Sequence, residues 1–390
     1  YNNRVAVYAT LGQYEKAIEV FNQVIKIDPK HANAWYNKGS ALQKMGYYAE
    51  AIEAYNQALE IDSRYTDAWN NKGNALNNQG RYGEAIEACD QALMLNTRNP
   101  DAWNNKGNAL NNQSRYIEAI EAYDQALKFD PQNANAWNGK GIALQKMGRY
   151  IDAIEAYDQA LKFDPQNAVI WIGKGIALEK RGRYEEAVEA YDQALKFDPQ
   201  NANTWHCKGN ALNNQGRSEE AIEAYVQTLK FNPQNVNAWH CKGNVLNNQG
   251  RSDEAIEAYD QALKFDPQNA HAWNGKGVAL QKLGHIEEAV EAYDRALKID
   301  REFECAKENR QNVLKEIADV FWYKKGIALQ EEGRLWGAID SYDQALKLDP
   351  EFKLAKEHRE NILKEIKKKN KTPEEAEEWF NKGNSLYDLG

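Results

Sequence analysis

The chain has 390 residues, 42% of them hydrophobic, with 58 acidic against 49 basic residues and a formal net charge of −9. That length can bury a large core or several, and 25 glycines with only 9 prolines exclude collagen-like or linker-like low complexity. The acidic balance argues against a phosphate-backbone ligand, because the one basic cluster, Lys367, Lys368, Lys369 and Lys371, reads as the solvated end of a helix.

The first predicted element is incomplete. Tyr1 stands 34 residues before Trp35 and Gly12 closes the segment, so the chain opens inside a first helix and the natural N-terminus is expected upstream. Tryptophans then fall at Trp35, Trp69, Trp103, Trp137, Trp171, Trp205, Trp239 and Trp273, every interval being 34. A glycine follows each by four (Gly39 to Gly277) and a leucine by seven (Leu42 to Leu280). A turn glycine comes next, as at Gly46 and Gly80, except that Ser114 replaces it once. A block such as RYIEAIEAYDQALKFDP (115–131) completes the repeat. Each repeat therefore reads as two helices. Glycine ends the first, and Asp-Pro, as at Asp130-Pro131, stops the second. Small residues such as Gly107, Ala119 and Ala126 let the helices approach, while Trp103, Leu110 and Tyr123 fill the space between them.

The period breaks twice. Trp322 follows Trp273 by 49 residues, and Trp379 follows Trp322 by 57. The extra residues lie in two similar stretches, EFECAKENRQNVLKEI and EFKLAKEHRENILKEI, both with helical apolar spacing. Each is expected to occupy the first-helix place and to cap the preceding stack with a polar outer face. Thr372 and Pro373 read as the start of a further helix. No breaker separates 302–317 from 318–332, so one long or kinked helix is possible there. The organisation expected is a continuous array over 1–301 with its first repeat truncated, an extra helix plus one further repeat over 302–349, a capping-type helix over 350–372, and the first helix of a truncated repeat over 373–390.

These residues carry a resemblance. The 34-residue pattern resembles the tetratricopeptide repeat family (TPR) over 1–301 and most of the remainder. Three features depart from the family pattern. Lysine precedes the glycine in every repeat (Lys38, Lys72, Lys106, Lys140, Lys174, Lys208, Lys242, Lys276), leucine stands in the tyrosine place, and Ser63, Thr97 and Arg301 replace proline. The lysine stem is expected to pack while its amine reaches an acid of a second helix. The resemblance implies an all-α fold, an α-solenoid forming a right-handed superhelix of antiparallel helix pairs. First helices would line the concave face, and stability would be summed over neighbours.

Asparagine is a mediocre helix former, yet WNNKGNALNNQGRY (69–82) recurs in variants at 103–116, 205–218 and 239–252. At about 100° per residue, Asn70, Asn74 and Asn77 share one stripe, with Asn71 and Asn78 beside it, away from Trp69 and Leu76. That stripe is expected to face the groove, where amides can hydrogen-bond an extended chain, although polar groove positions that bond one another across repeats would look the same. The candidate peptide-binding residues are Asn37, with Asn70, Asn71, Asn74, Asn77 and Asn78 of the second full repeat. Asn104, Asn105, Asn108 and Asn111 follow in the third. Farther along come His206, Asn210 and Asn213, then His240, Asn244 and Asn247. The resemblance to the repeat region of O-linked N-acetylglucosamine transferases implies that an Asn two after the tryptophan place holds substrate backbone. That place is Asn37, Asn71 and Asn105, then Gly139, Gly173, Cys207, Cys241 and Gly275.

Other chemistry is weaker. The family that this pattern resembles also clamps C-terminal carboxylates, which the resemblance implies would need a lysine immediately after the tryptophan place, and none is there. His206-Cys207 and His240-Cys241 invite a metal reading, but adjacent helical side chains diverge by about 100°. No phosphate loop or catalytic constellation is visible, so no enzyme activity, cofactor or metal is expected. No apolar run approaches the roughly 18–20 residues that span a bilayer. Cys89, Cys207, Cys241 and Cys305 lack disulfide-scaffold density, which suggests a reducing compartment. The expectation is a cytoplasmic protein-interaction scaffold that takes a protein or peptide and binds neither nucleic acid nor membrane. The alternatives are the substrate-recognition arm of a larger glycosyltransferase-like enzyme and a solenoid that self-associates end to end.

Overall fold

The computed structural model describes residues 13–369 and consists, among those residues, of helices without strands. The expected beginning of the first repeat and the expected helix over 373–390 lie outside the described residues, as do Thr372 and Pro373. The chain divides into two compact units, residues 1–224 and 225–390.

In the first unit every tryptophan-bearing helix has 13 residues, as in Thr66–Asn78, Pro100–Asn112 and Ala134–Lys146. Each second helix has 14, as in Tyr82–Leu95 and Tyr116–Phe129. Asparagine starts several of the first helices. The Asn99 side chain accepts from the backbone N–H of Asp101 and Ala102, and Asn133 accepts from Ala136, satisfying donors that helix geometry leaves free. Glycine, with φ between 71° and 82°, follows all of the first helices but Pro100–Asn112, where Ser114 stands. The Arg81 N–H reaches back to the Leu76 carbonyl and Gly80 N–H to Asn77, a closure that needs the left-handed backbone glycine supplies.

The core is built around a buried aromatic ring on each second helix, tyrosine in most and Phe21 in the first described one, except that Tyr82–Leu95 has Cys89 in that place. Tyr55, Tyr123, Tyr157 and Tyr191 are fully buried. Glycine leaves room for each ring. A Cβ on Gly107 would lie 2.6 Å from the Tyr123 ring, and one on Gly139, from the next repeat, 2.5 Å from its other side. The departures from the family pattern have local reasons. Each indole Nε1 donates to a backbone carbonyl six residues earlier, Ser63 for Trp69 and Thr97 for Trp103, so proline is dispensable there. The lysines that precede the glycines lie over the indole faces, Lys106 at 5.4 Å from the Trp103 centroid. Lys106, Lys140, Lys174 and Lys208 also reach Asp90, Asp124, Asp158 and Asp192 of the preceding second helices at 2.6 Å. At Lys38 and Lys72 the corresponding residues are Asn22 and Asn56, and the acid is absent.

In the second unit the repeats continue through Ile286–Ile299. The next helix, Glu304–Glu316, runs without a break through a π-helical segment, Ile317–Tyr323, into Lys324–Glu331. The rod serves two cores. Val313 packs with Tyr293, and Ala318 and Tyr323 pack with Tyr342. Its first part copies the inter-repeat contacts: Arg310 reaches Asp294 at 2.5 Å, and Asn309 donates to Asn274. Lys307 and Gln311 occupy its tryptophan and glycine places, because no second helix of its own folds back onto it. Helix Lys353–Lys369 repeats the arrangement, with Arg359 paired to Asp343 and Ala355 and Ile362 buried.

Candidate functional site: an amide-lined cavity

In the first unit each tryptophan-bearing helix also touches the tryptophan-bearing helix of the next repeat. Hydrogen bonds between residues 35 apart at both ends, Asn105 Nδ2 to Asn70 Oδ1 and Asn112 Nδ2 to Asn77 Oδ1, hold these helices parallel and in register. Their shared face contains a cavity of about 480 Å³.

The helical wheel places Asn70 on the open stripe; in the structure Asn70 and Asn105 both line the cavity but keep little exposed surface. Asn70 and Asn105 are each only 8% exposed. Cys89 stands where most other second helices carry tyrosine, so Asn105 is spared the ring contact that keeps Gly139 small one repeat later. A relay of side chains results. The Tyr55 hydroxyl donates to Gln43, Gln43 to Asn74, Asn74 to Asn105 and Asn105 to Asn70, at 2.7–3.0 Å. Asn71 donates to the Tyr36 hydroxyl, and Asn78 donates back to the Asn74 carbonyl. Much of the asparagine stripe is therefore spent on holding repeats together.

Other amides are not. Asn104, Asn111 and Asn138 line the cavity, and their Oδ1 atoms are buried without a hydrogen-bond donor. The cause is again local. Asn105 lies 35 after Asn70 and supplies its donor, but 35 after Asn104 and Asn138 stand Gly139 and Gly173, kept small by Tyr123 and Tyr157. Asn108 lines the cavity too and accepts from the Tyr123 hydroxyl at 2.8 Å. Two charged residues complete the lining, Asp101 and Lys44.

The structure does not bring all the candidates together. Asn37, Asn77 and Asn78 lie outside the cavity lining, Asn37 and Asn78 exposed and Asn77 partly buried. In the Trp205 repeat His206 is half-buried, Asn210 partly buried and Asn213 exposed. Burial holds the His206 imidazole below its ordinary pKa, and burial pushes the Cys207 thiol up to about 11. The remaining three candidates belong to the second unit. There Asn247 is buried and accepts from Ser252, Asn244 accepts from Tyr259, and His240 lies 3.4 Å from Asn244. Burial, then the neighbouring His271, lowers the His240 pKa. Gln43, Lys44, Asp101 and Asn138 escaped the sequence reading. Asn138 shares the place of Asn70 and Asn104 and was visible in the period; the others are not asparagine-stripe positions. Among the described residues no group of three or more His, Cys, Asp or Glu could hold a metal ion, and no helix is long and apolar enough to cross a membrane.

Models of the tetratricopeptide repeat match residues 7–46, 36–100, 107–148, 138–202, 190–223, 209–250, 243–284, 270–303 and 320–352. No curated protein matches the chain. Among solved structures, YrrB, a TPR protein with an unusual peptide-binding site, is 23% identical over 49% of this chain and 99% of its own, with a TM-score of 0.45. MamA is 27% identical over 41% of this chain and 94% of its own, with a TM-score of 0.41. MamA from Desulfovibrio magneticus RS-1 is 19% identical over 44% of this chain and 97% of its own, with a TM-score of 0.42.

Proposed function

Because the chain belongs to the tetratricopeptide repeat family, a protein-interaction scaffold, we propose that its first unit cradles an extended peptide segment along the face of the Trp69, Trp103 and Trp137 helices. One observation carries the reading: Asn104 and Asn138 line the cavity with buried carboxamide oxygens that no donor satisfies. Such a group costs roughly 1–3 kcal/mol. A residue that lowers stability where alanine would not is expected where a ligand uses it. Carboxamides offer donors and an acceptor to a backbone without reading its side chains.

Asn105, in contrast, is a structural amide on this reading, since it already bonds Asn70 and Asn74. The test separates the two roles. A random peptide library displayed on phage is panned against the protein, and selected peptides are titrated into variants. Asn104→Ala with Asn138→Ala should leave the melting temperature equal or higher and weaken capture roughly tenfold. Asn105→Ala should lower the melting temperature. Unchanged affinity in the Asn104/Asn138 double variant sinks the reading.

A further inference from the structure

The cavity is neutral except at two points, and these lie at opposite edges of the first-helix face. Asp101 is the second residue of Pro100–Asn112, so it marks the edge where the parallel helices start. Lys44 is the last residue of Ala32–Lys44 and marks the edge where they end. Both are exposed, and among the described residues neither makes an ion pair. Between them lie the amides of Asn70, Asn71, Asn74, Asn104 and Asn108, which carry no net charge.

We propose that this cavity selects a dipolar segment, one that sets a cationic side chain against Asp101 and an acidic side chain against Lys44. The proposal rests on the peptide-binding reading above and names the partner's chemistry. An extended backbone that turns one edge towards the amide floor throws successive side chains to opposite flanks. One flank then meets the carboxylate and the other the ammonium. The floor of fixed donors and acceptors supplies contact and chain direction without reading side chains, and the two charges supply register, as rim charges do at interfaces generally. A uniformly basic or uniformly acidic segment satisfies one edge and is repelled at the other. The net charge of the chain selects neither arrangement, since the dipolar segment is neutral overall.

Panning the same phage library tests this. Peptides enriched on the wild-type protein should share one basic and one acidic residue in a fixed order and spacing. Asp101→Lys or Lys44→Glu alone should weaken them roughly fivefold, and added salt should do likewise. The doubly reversed protein, Asp101→Lys with Lys44→Glu, should enrich the opposite order. Enrichment that is lost on Asn104→Ala with Asn138→Ala but shows no charge order overturns this proposal and leaves the peptide groove standing. Enrichment of the same order by the reversed protein also overturns it. Absence of any enrichment overturns both. A circular dichroism melt of each variant establishes that the surface charges, not the fold, have changed.

Discussion

Ser114 holds φ at +62° in a turn place where the other described repeats put glycine. A side chain there is strained, and the strain is local because the turn is otherwise the same: Ser114 N–H donates to Asn111 and Arg115 N–H to Leu110. Ser114→Gly should therefore stabilise the protein by about 0.5–1 kcal/mol in urea titrations, the strain relieved exceeding the extra freedom of the unfolded glycine. The half-buried histidines give a pH dependence of definite sign. His206 and His240 both have folded-state pKa values lowered by burial from the ordinary 6.5. The unfolded chain binds protons more readily, so this stability is complete above about pH 6.5 and is lost as pH falls through the folded values. Urea midpoints should decline from about pH 7.5 to about pH 5.5. His206→Asn with His240→Asn, which copies the residue found at Asn70 and Asn104, should flatten that decline; an unchanged slope would refute the assignment.

At the scale of the element, the repeat is an exchange of volumes between helices. Tyr123 is wedged between Gly107 of its own repeat and Gly139 of the next, with its hydroxyl fixed to Asn108. Gly107→Ala places a methyl 2.6 Å from the ring. Neither flank can yield, so the variant should lose about 1–3 kcal/mol, even though alanine favours the helix by about 1 kcal/mol over glycine. A gain in the melting temperature would contradict this packing. The same exchange explains how far the site was legible. The period of asparagine identified the face, and Asn104, Asn108 and Asn111 do line the cavity. A helical wheel treats each helix as isolated, however, and could not foresee that Cys89 on another helix spares Asn105 the ring contact that keeps Gly139 small. Nor could it distinguish Asn70, whose oxygen has a donor, from Asn104, whose donor is missing because Gly139 stands in its place.

At the scale of the whole molecule, stability within each unit is carried by contacts between neighbouring helices, which makes repeats separable. Residues 134–167 form one complete repeat, flanked by Asn133 and Ala168. Removing them joins Asn133 to Ala168, and Asn133 can cap that helix as Asn167 does now. Gly173 then meets Tyr123 as Gly139 did. The shortened chain should remain helical and cooperative, with a urea m-value reduced roughly in proportion to the residues removed. Loss of a cooperative transition would show that the repeats are not equivalent modules.

By itself the sequence determined the repeat, its two helices, the turn glycines and the face on which amides gather, because spacing along one helix fixes which side chains share a side. It also indicated that 302–332 lacks a breaker, and the rod through Ile317–Tyr323 is continuous. The tertiary structure decided which asparagines are bound to one another and which are left open, and it placed Asp101 and Lys44 at the two edges of one cavity. Those outcomes depend on volumes contributed by the preceding second helix, as Tyr123 does at Gly139, and on hydrogen-bond partners about 35 positions away. Periodicity along one helix carries no record of what fills the space across from it.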